Sequence, residues 1–278
     1  EDETARQIAL RLLAAPVQED ITLQLAEARE KLGLSLSEKQ ESAVRTAFLH
    51  SLSIITGPPG TGKTTVLKGI LEVYKLLHPD GKIALMAPTG RASRRMAEST
   101  GFDGACTMHS GLGLLGGEDE SGSLMKERFL DADLVIADEF SMVDMWLARQ
   151  FFTRVRAGAK IGMVGDPDQL PSVGAGNVLA DLIESGLIPS VTLDVIYRQA
   201  NESLIIENAH SINAGHMPEL DCKTSDFFFS RATTQADAAE VVQSMAAERI
   251  PKYLRVDPSR VQVLCPMKNG DAGAMDWT

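Results

Sequence analysis

Residues 57–65 read Gly-Pro-Pro-Gly-Thr-Gly-Lys-Thr-Thr, and no other stretch restricts the fold as much. The run matches G-x-x-x-x-G-K-[ST], with Gly57, Gly62, Lys63 and Thr64 in register. A triphosphate needs a concave row of backbone N–H groups with no side chain in the way. Gly57, Gly60 and Gly62 leave that backbone open and permit positive φ. Pro58, Pro59 and Thr61 complete the loop, and Thr65 continues into the next element. Lys63 can reach the β- and γ-phosphates of ATP, and the Thr64 hydroxyl can bind Mg²⁺. Residues 51–56, Ser-Leu-Ser-Ile-Ile-Thr, read as a buried strand entering the loop. Residues 65–77 have apolar side chains at helical spacing leaving it. A strand, a glycine loop and a helix in this order are the setting that the motif needs.

At 278 residues the chain is one large or two modest domains, and 44% hydrophobic residues suffice for a full core. No apolar run approaches 18 residues, so no membrane partner is expected. The acidic opening, Glu-Asp-Glu, is followed by no apolar stretch of the kind that marks a secretory signal. Three widely spaced cysteines, Cys106, Cys222 and Cys265, read as reduced thiols of a cytoplasmic protein. The net charge of −11 argues mildly against a nucleic-acid partner. Phosphate contacts can nonetheless come from backbone N–H groups, hydroxyls and a few local arginines.

Residues 1–33 read as two helices forming an N-terminal appendage with no evident chemistry. Ser37 is a candidate N-cap for the helix that follows. On that helix Gln40 is either an ordinary surface glutamine or an amide able to pair with N6 and N7 of adenine.

Residues 82–87 read as a second strand. Pro88-Thr89-Gly90-Arg91 then opens a helix that also carries Arg94 and Arg95. This turn can hold a phosphate, or the arginines can form a solvated face. Thr107 and His109 follow; His109 suits a polar contact to DNA or a structural role better than a metal site.

Residues 111–129 are rich in Gly, Ser and acid and read as an insert between core strands. Residues 134–137 form a short apolar strand running into Asp138-Glu139. Behind a phosphate loop, such a pair divides its work. Asp138 holds the Mg²⁺ shell, and Glu139 orients or deprotonates water. Residues 160–165 are another strand, ending in a polar turn that carries Gln169. Strand ends face the nucleotide in such sheets, which directs Gln169 towards the γ-phosphate. From residue 199 the pattern restarts, with helices near 202–213 and 235–248 and strands near 227–230 and 261–265.

Taken together the motifs resemble superfamily 1 helicases, and within them the RecD-like DNA helicases, the class of the exodeoxyribonuclease V alpha subunit. Residues 36–40 resemble the adenine-reading Q motif, 57–64 motif I and 87–92 motif Ia. Thr107-Met108-His109 resembles the family's Thr-x-His element. Asp138-Glu-Phe-Ser-Met142 resembles motif II, with Phe140 where Ala is usual. Residues 165–171 resemble motif III, and Tyr197-Arg198-Gln199 resembles motif IV.

The resemblance implies an α/β P-loop NTPase with a RecA-like parallel sheet. Residues 34–198 would form the first motor domain and 199–278 the start of a second. It implies Gln40 on adenine, Arg198 as an arginine finger in cis, and Pro88, Thr89, Arg91, Thr107 and His109 along single-stranded DNA. Movement would be 5′ to 3′, with other recombination or repair proteins as partners. The insert falls where the family places its strand-separating hairpin, but here it is short and acidic. Motifs V and VI have no counterpart after Arg198, so the expectation is a fragment or a degenerate member that hydrolyses ATP slowly by itself. The alternatives are the helicase segment of a conjugative relaxase, or a non-catalytic remnant that binds nucleotide and DNA.

Overall fold

Six short segments build one parallel sheet, because most of them bury apolar side chains on both faces. The computed structural model describes residues 1–14, 19–114, 129–195, 203–221, 226–265, 267, 270 and 273. Two units divide the chain, Glu1–Asn201 and Glu202–Thr278.

In the first unit the strands are β1 (Leu52–Thr56), β2 (Ile83–Ala87), β3 (Cys106–Thr107), β4 (Leu134–Ala137), β5 (Lys160–Gly165) and β6 (Ser190–Thr192). Their order across the sheet is β3-β2-β4-β5-β1-β6, with every pairing parallel. Side chains alternate between faces along each strand. Leu52, Ile54, Val135, Ala137, Ile161 and Met163 join one core cluster. Ile55, Leu134, Ile136 and Val164 join the other.

The helices supply the outer layers. They are α1 (Asp2–Leu13), α2 (Thr22–Leu32), α3 (Glu38–Leu49), α4 (Lys63–Leu77), α5 (Gly90–Thr100), α6 (Met108–Gly111), α7 (Met145–Arg154) and α8 (Val178–Glu184). The first cluster contains Phe151 and Phe152 of α7; the second contains Phe48 of α3 and Tyr74 of α4.

The two N-terminal helices are packed into this unit. α1 lies on α7, Ile8 enters the first cluster, and buried Arg11 donates to the Val155 carbonyl at 2.5 Å. α2 lies on α4, with Leu25 and Ala28 in the second cluster. Residues 115–128, most of the expected insert, fall outside the described residues.

The second unit contains α9 (Leu204–Asn213), α10 (Gln235–Ser244), a π-helical turn (Met245–Arg249) and α11 (Ile250–Leu254). Asn208 is buried and its amide pairs with both backbone groups of Glu219, at 2.9 and 2.7 Å. Residues 227–230 and 261–265, expected as strands, form no strand and join no sheet. Their apolar composition is real. Phe228, Phe229, Val261 and Val263 line a depression with Val241 and Val242 of α10, and Phe228, Phe229 and Val263 stay exposed.

Candidate active site and nucleic-acid interface

The strand order brings the chemistry together. β5 lies between β1 and β4. Three adjacent strands therefore end, at the same edge, in the glycine loop, in Asp166-Pro-Asp-Gln169 and in Asp138-Glu139. Ligands of open parallel sheets bind at this carboxyl edge.

The loop has the conformation that its glycines predict. Gly57, Gly60 and Gly62 have φ of 148°, 87° and 85°. Gly62 is the N-cap of α4, so Lys63 and Thr64 occupy the first helical turn, two residues before the start expected from periodicity. Free N–H groups and the helix's positive end there favour an anion. Thr61 is buried and donates to the Pro58 carbonyl at 2.8 Å. Pro59 and Thr64 are exposed, and Pro58 and Thr65 half-buried.

Lys63 donates to the carbonyls of Gly57 and Pro58, the latter at 3.2 Å. Burial lowers its pKa, and the charges of Asp166, Glu139 and Asp138 oppose that shift. Those three carboxylates lie close enough for their fields to act on the ammonium.

Asp138 is half-buried by surface, yet its carboxyl sits deep. Burial pushes its pKa up to about 6, helped by the charge of Glu139 and opposed by a backbone hydrogen bond, Lys63 and Arg95. Its Oδ1 accepts from the Glu139 N–H at 2.9 Å. A carboxylate made costly by burial is stabilised by a cation, so Asp138 fits a Mg²⁺ ligand. Glu139 has φ of 53°, a left-handed conformation uncommon outside glycine. Such backbone persists where the surroundings over-determine it, often at functional sites. Phe140, the unusual residue of this motif, fills the core against Phe151 at 5.8 Å.

Gln169 is exposed, and its amide donates to Asp166 Oδ2 at 3.2 Å. Asp166 itself is buried and also accepts from the Asp168 N–H at 3.1 Å. Sequence reasoning singled out Gln169 but passed over Asp166. The signal was present: Asp166 terminates β5 as Asp138 follows β4.

Gln40 is neither exposed nor free. It is 3% exposed, and its Oε1 accepts from the Ser37 N–H at 3.0 Å, completing a capping box at the start of α3. Its Nε2 donates to the Thr61 carbonyl at 3.1 Å. Of the two readings, the surface glutamine is set aside: the amide braces the phosphate loop. A Cβ on Gly62 would push this nitrogen off its bond to Thr61.

The other half of the edge is formed by β2 and β3, paired with Ala87 opposite Thr107. The Thr89 hydroxyl caps α5 by accepting from the Ala92 N–H at 3.2 Å, and Thr107 caps α6 by accepting from the Ser110 N–H at 3.1 Å. Each hydroxyl keeps its own hydrogen to donate. Pro88 is half-buried, and Arg91, Arg94 and Arg95 are exposed. His109 stacks on Trp146, which the sequence did not single out, with ring centroids 6.1 Å apart and 28° between planes. Tyr197, Arg198 and Gln199 lie outside the described residues.

The parallel sheet, the glycine loop and the carboxylates at adjacent strand ends define a P-loop NTPase. The AAA domain family model matches residues 35–251, and the chain belongs to that family. Within it the chain is RecD-like. It is similar to the ATP-dependent RecD2 DNA helicase of Deinococcus radiodurans, 34% identical over 246 residues, which covers 88% of this chain and 32% of the relative. It is also similar to the RecBCD enzyme subunit RecD of Mycolicibacterium smegmatis, 36% identical over 171 residues, covering 53% of this chain and 30% of that one. The chain thus spans about a third of the length of these relatives. Among solved structures, Pif1 helicase from Candida albicans is similar with a TM-score of 0.50 and 25% identity, covering 79% of this chain and 55% of that one. No helix among the described residues is long and apolar enough to cross a membrane.

Proposed function

We propose that the chain is the nucleotide-binding motor portion of an ATP-driven DNA helicase that moves along single-stranded DNA, 5′ to 3′, in the cytoplasm. The observation that supports this reading is the shared edge. β1, β5 and β4 deliver Lys63, Asp166 and Asp138-Glu139 beside one another, and β2 and β3 present Thr89, Arg91, Thr107 and His109 along the same side of the sheet.

ATP would lie with its phosphates on the N–H groups of residues 57–65. Gln40 would need to turn one amide edge to adenine while keeping its brace on Thr61. Thr64 and Asp138 would hold Mg²⁺, which supplies charge neutralisation at the β- and γ-phosphates. Glu139 would orient the attacking water, with Gln169 near the γ-phosphate and Arg198 as the arginine finger. The carboxylates and the lysine are all in place, which favours an enzyme over a binding remnant. Recombination or repair proteins would be its partners, as the RecBCD name of one relative suggests.

The test, made on the full-length protein that carries this chain, is steady-state ATP hydrolysis with and without an oligothymidylate, together with displacement of duplexes bearing 5′ or 3′ tails. Stimulation by the single strand and a requirement for a 5′ tail are expected. Hydrolysis indifferent to DNA would overturn the helicase reading, and a requirement for a 3′ tail would overturn the polarity.

A further inference from the structure

Trp146 is half exposed at the second position of α7, an unusual place for the largest side chain of a soluble protein. Three features hold it there. Asp144 caps α7 by accepting from the Leu147 N–H at 2.8 Å, fixing the helix start. The Met145 N–H donates to the Ala175 carbonyl at 2.9 Å, tying that start to the loop after β5. His109 stacks against the indole. A ring restrained in this way loses little further freedom when something packs on it.

Its neighbours narrow what that something is. His109 lies two residues after Thr107, and Thr107 lies beside Gly90, between Thr89 and exposed Arg91. Hydroxyl donors and a guanidinium suit phosphates, whereas an aromatic face suits a base.

We propose that Trp146, backed by His109, is a base-stacking platform for single-stranded DNA, which rests on the helicase reading above and adds a residue to its DNA path. Through His109, the platform adjoins the turn that carries Thr107, opposite the end of β2. Trp146 is eight residues beyond Asp138, on the segment that leaves the carboxylate pair. A base seated on the indole would therefore bear on the chain that carries the Mg²⁺ ligand.

The chain has two tryptophans, Trp146 and Trp277, so W277F leaves Trp146 as the sole indole reporter. Titrating this variant with a dT12 oligonucleotide should quench its emission. A dT12 in which abasic sites replace the bases keeps the phosphates and should leave it bright. By fluorescence anisotropy, W146A should bind dT12 about 5- to 100-fold more weakly. It should bind the abasic strand as the wild type does, and W146F should recover much of the loss. Unchanged affinity of W146A for a fluorescent ATP analogue would show that the variant is folded. Equal dT12 binding by W146A and wild type would overturn the platform and leave the exposed indole for a protein partner. A loss of equal size on the abasic strand would overturn it as well, because the residue would then act without bases. Failure of the wild type to bind any single strand would instead overturn the helicase reading itself.

Discussion

Along β1, β5 and β4 the functional groups are mostly sunk into the protein. Gln40 and Asp166 are each 3% exposed, burial shifts the pKa of both Lys63 and Asp138, and Glu139 is held at positive φ. After β2 and β3, Thr89, Thr107 and His109 are half-buried and the charged and aromatic groups stand in the open. Arg91, Arg94 and Arg95 are exposed, and Trp146 is 53% exposed. Under the proposed function, the contrast follows from what each half would have to do. Phosphoryl transfer is accelerated by charges fixed before the reaction, in a site of low dielectric. A grip on a moving strand must form and release, so it uses screened charges and stacking that tolerates any base. One sheet supports both because burial differs along its edge.

Substitutions should therefore divide sharply between the halves. The largest effect should come from Glu139→Gln. In the full-length protein, turnover should fall by about 10²- to 10⁴-fold, with ATP and metal affinity kept. Hydrolysis at the wild-type rate would assign the water to another residue. Lys63→Ala should weaken ATP binding about 100-fold in calorimetry, since a charge-assisted partner of the phosphates is lost. Equal affinity would remove Lys63 from the site.

Gln40→Ala comes next, and it sharpens the comparison because it separates a brace from a reader. Losing the capping box and the Thr61 contact should cost about 2 kcal/mol of stability, seen as a melting temperature lower by about 4–8 °C. An unchanged melting temperature with lost preference for ATP over other triphosphates would make Gln40 an adenine reader alone. The smallest effect belongs to the open half. Arg91→Ala should weaken oligonucleotide binding a few-fold and reduce the slope of log affinity against log salt by about one. A slope unchanged by the substitution would place the phosphates elsewhere.

The two halves also differed in how far the sequence disclosed them. The phosphate loop, Asp138-Glu139 and the strands at 134–137 and 160–165 were legible because glycine spacing and short apolar runs have local causes. Strand order was not, since β5 inserts between β1 and β4 through pairings far apart in the chain. The bracing role of Gln40, beside the adenine contact expected of it, was hidden for the same reason: its second partner, Thr61, lies 21 residues away. Asp166 was hidden by Gln169, which looked more chemical while depending on it. Trp146 lies in a segment with no motif, and only the fold sets it against His109. In the second unit, periodicity found the helices, but apolar runs at 227–230 and 261–265 are strands only when a ladder partner is present.

On the proposed function, one sheet edge carries two sites whose occupancies are linked. Linkage requires each ligand to change the other's affinity by the same factor. The most direct measurement is the affinity of the Glu139→Gln protein for dT12 with and without saturating Mg·ATP, paired with ATP affinity with and without saturating dT12. The account predicts a change of at least about five-fold, equal in the two directions. Two affinities each indifferent to the other ligand would contradict it.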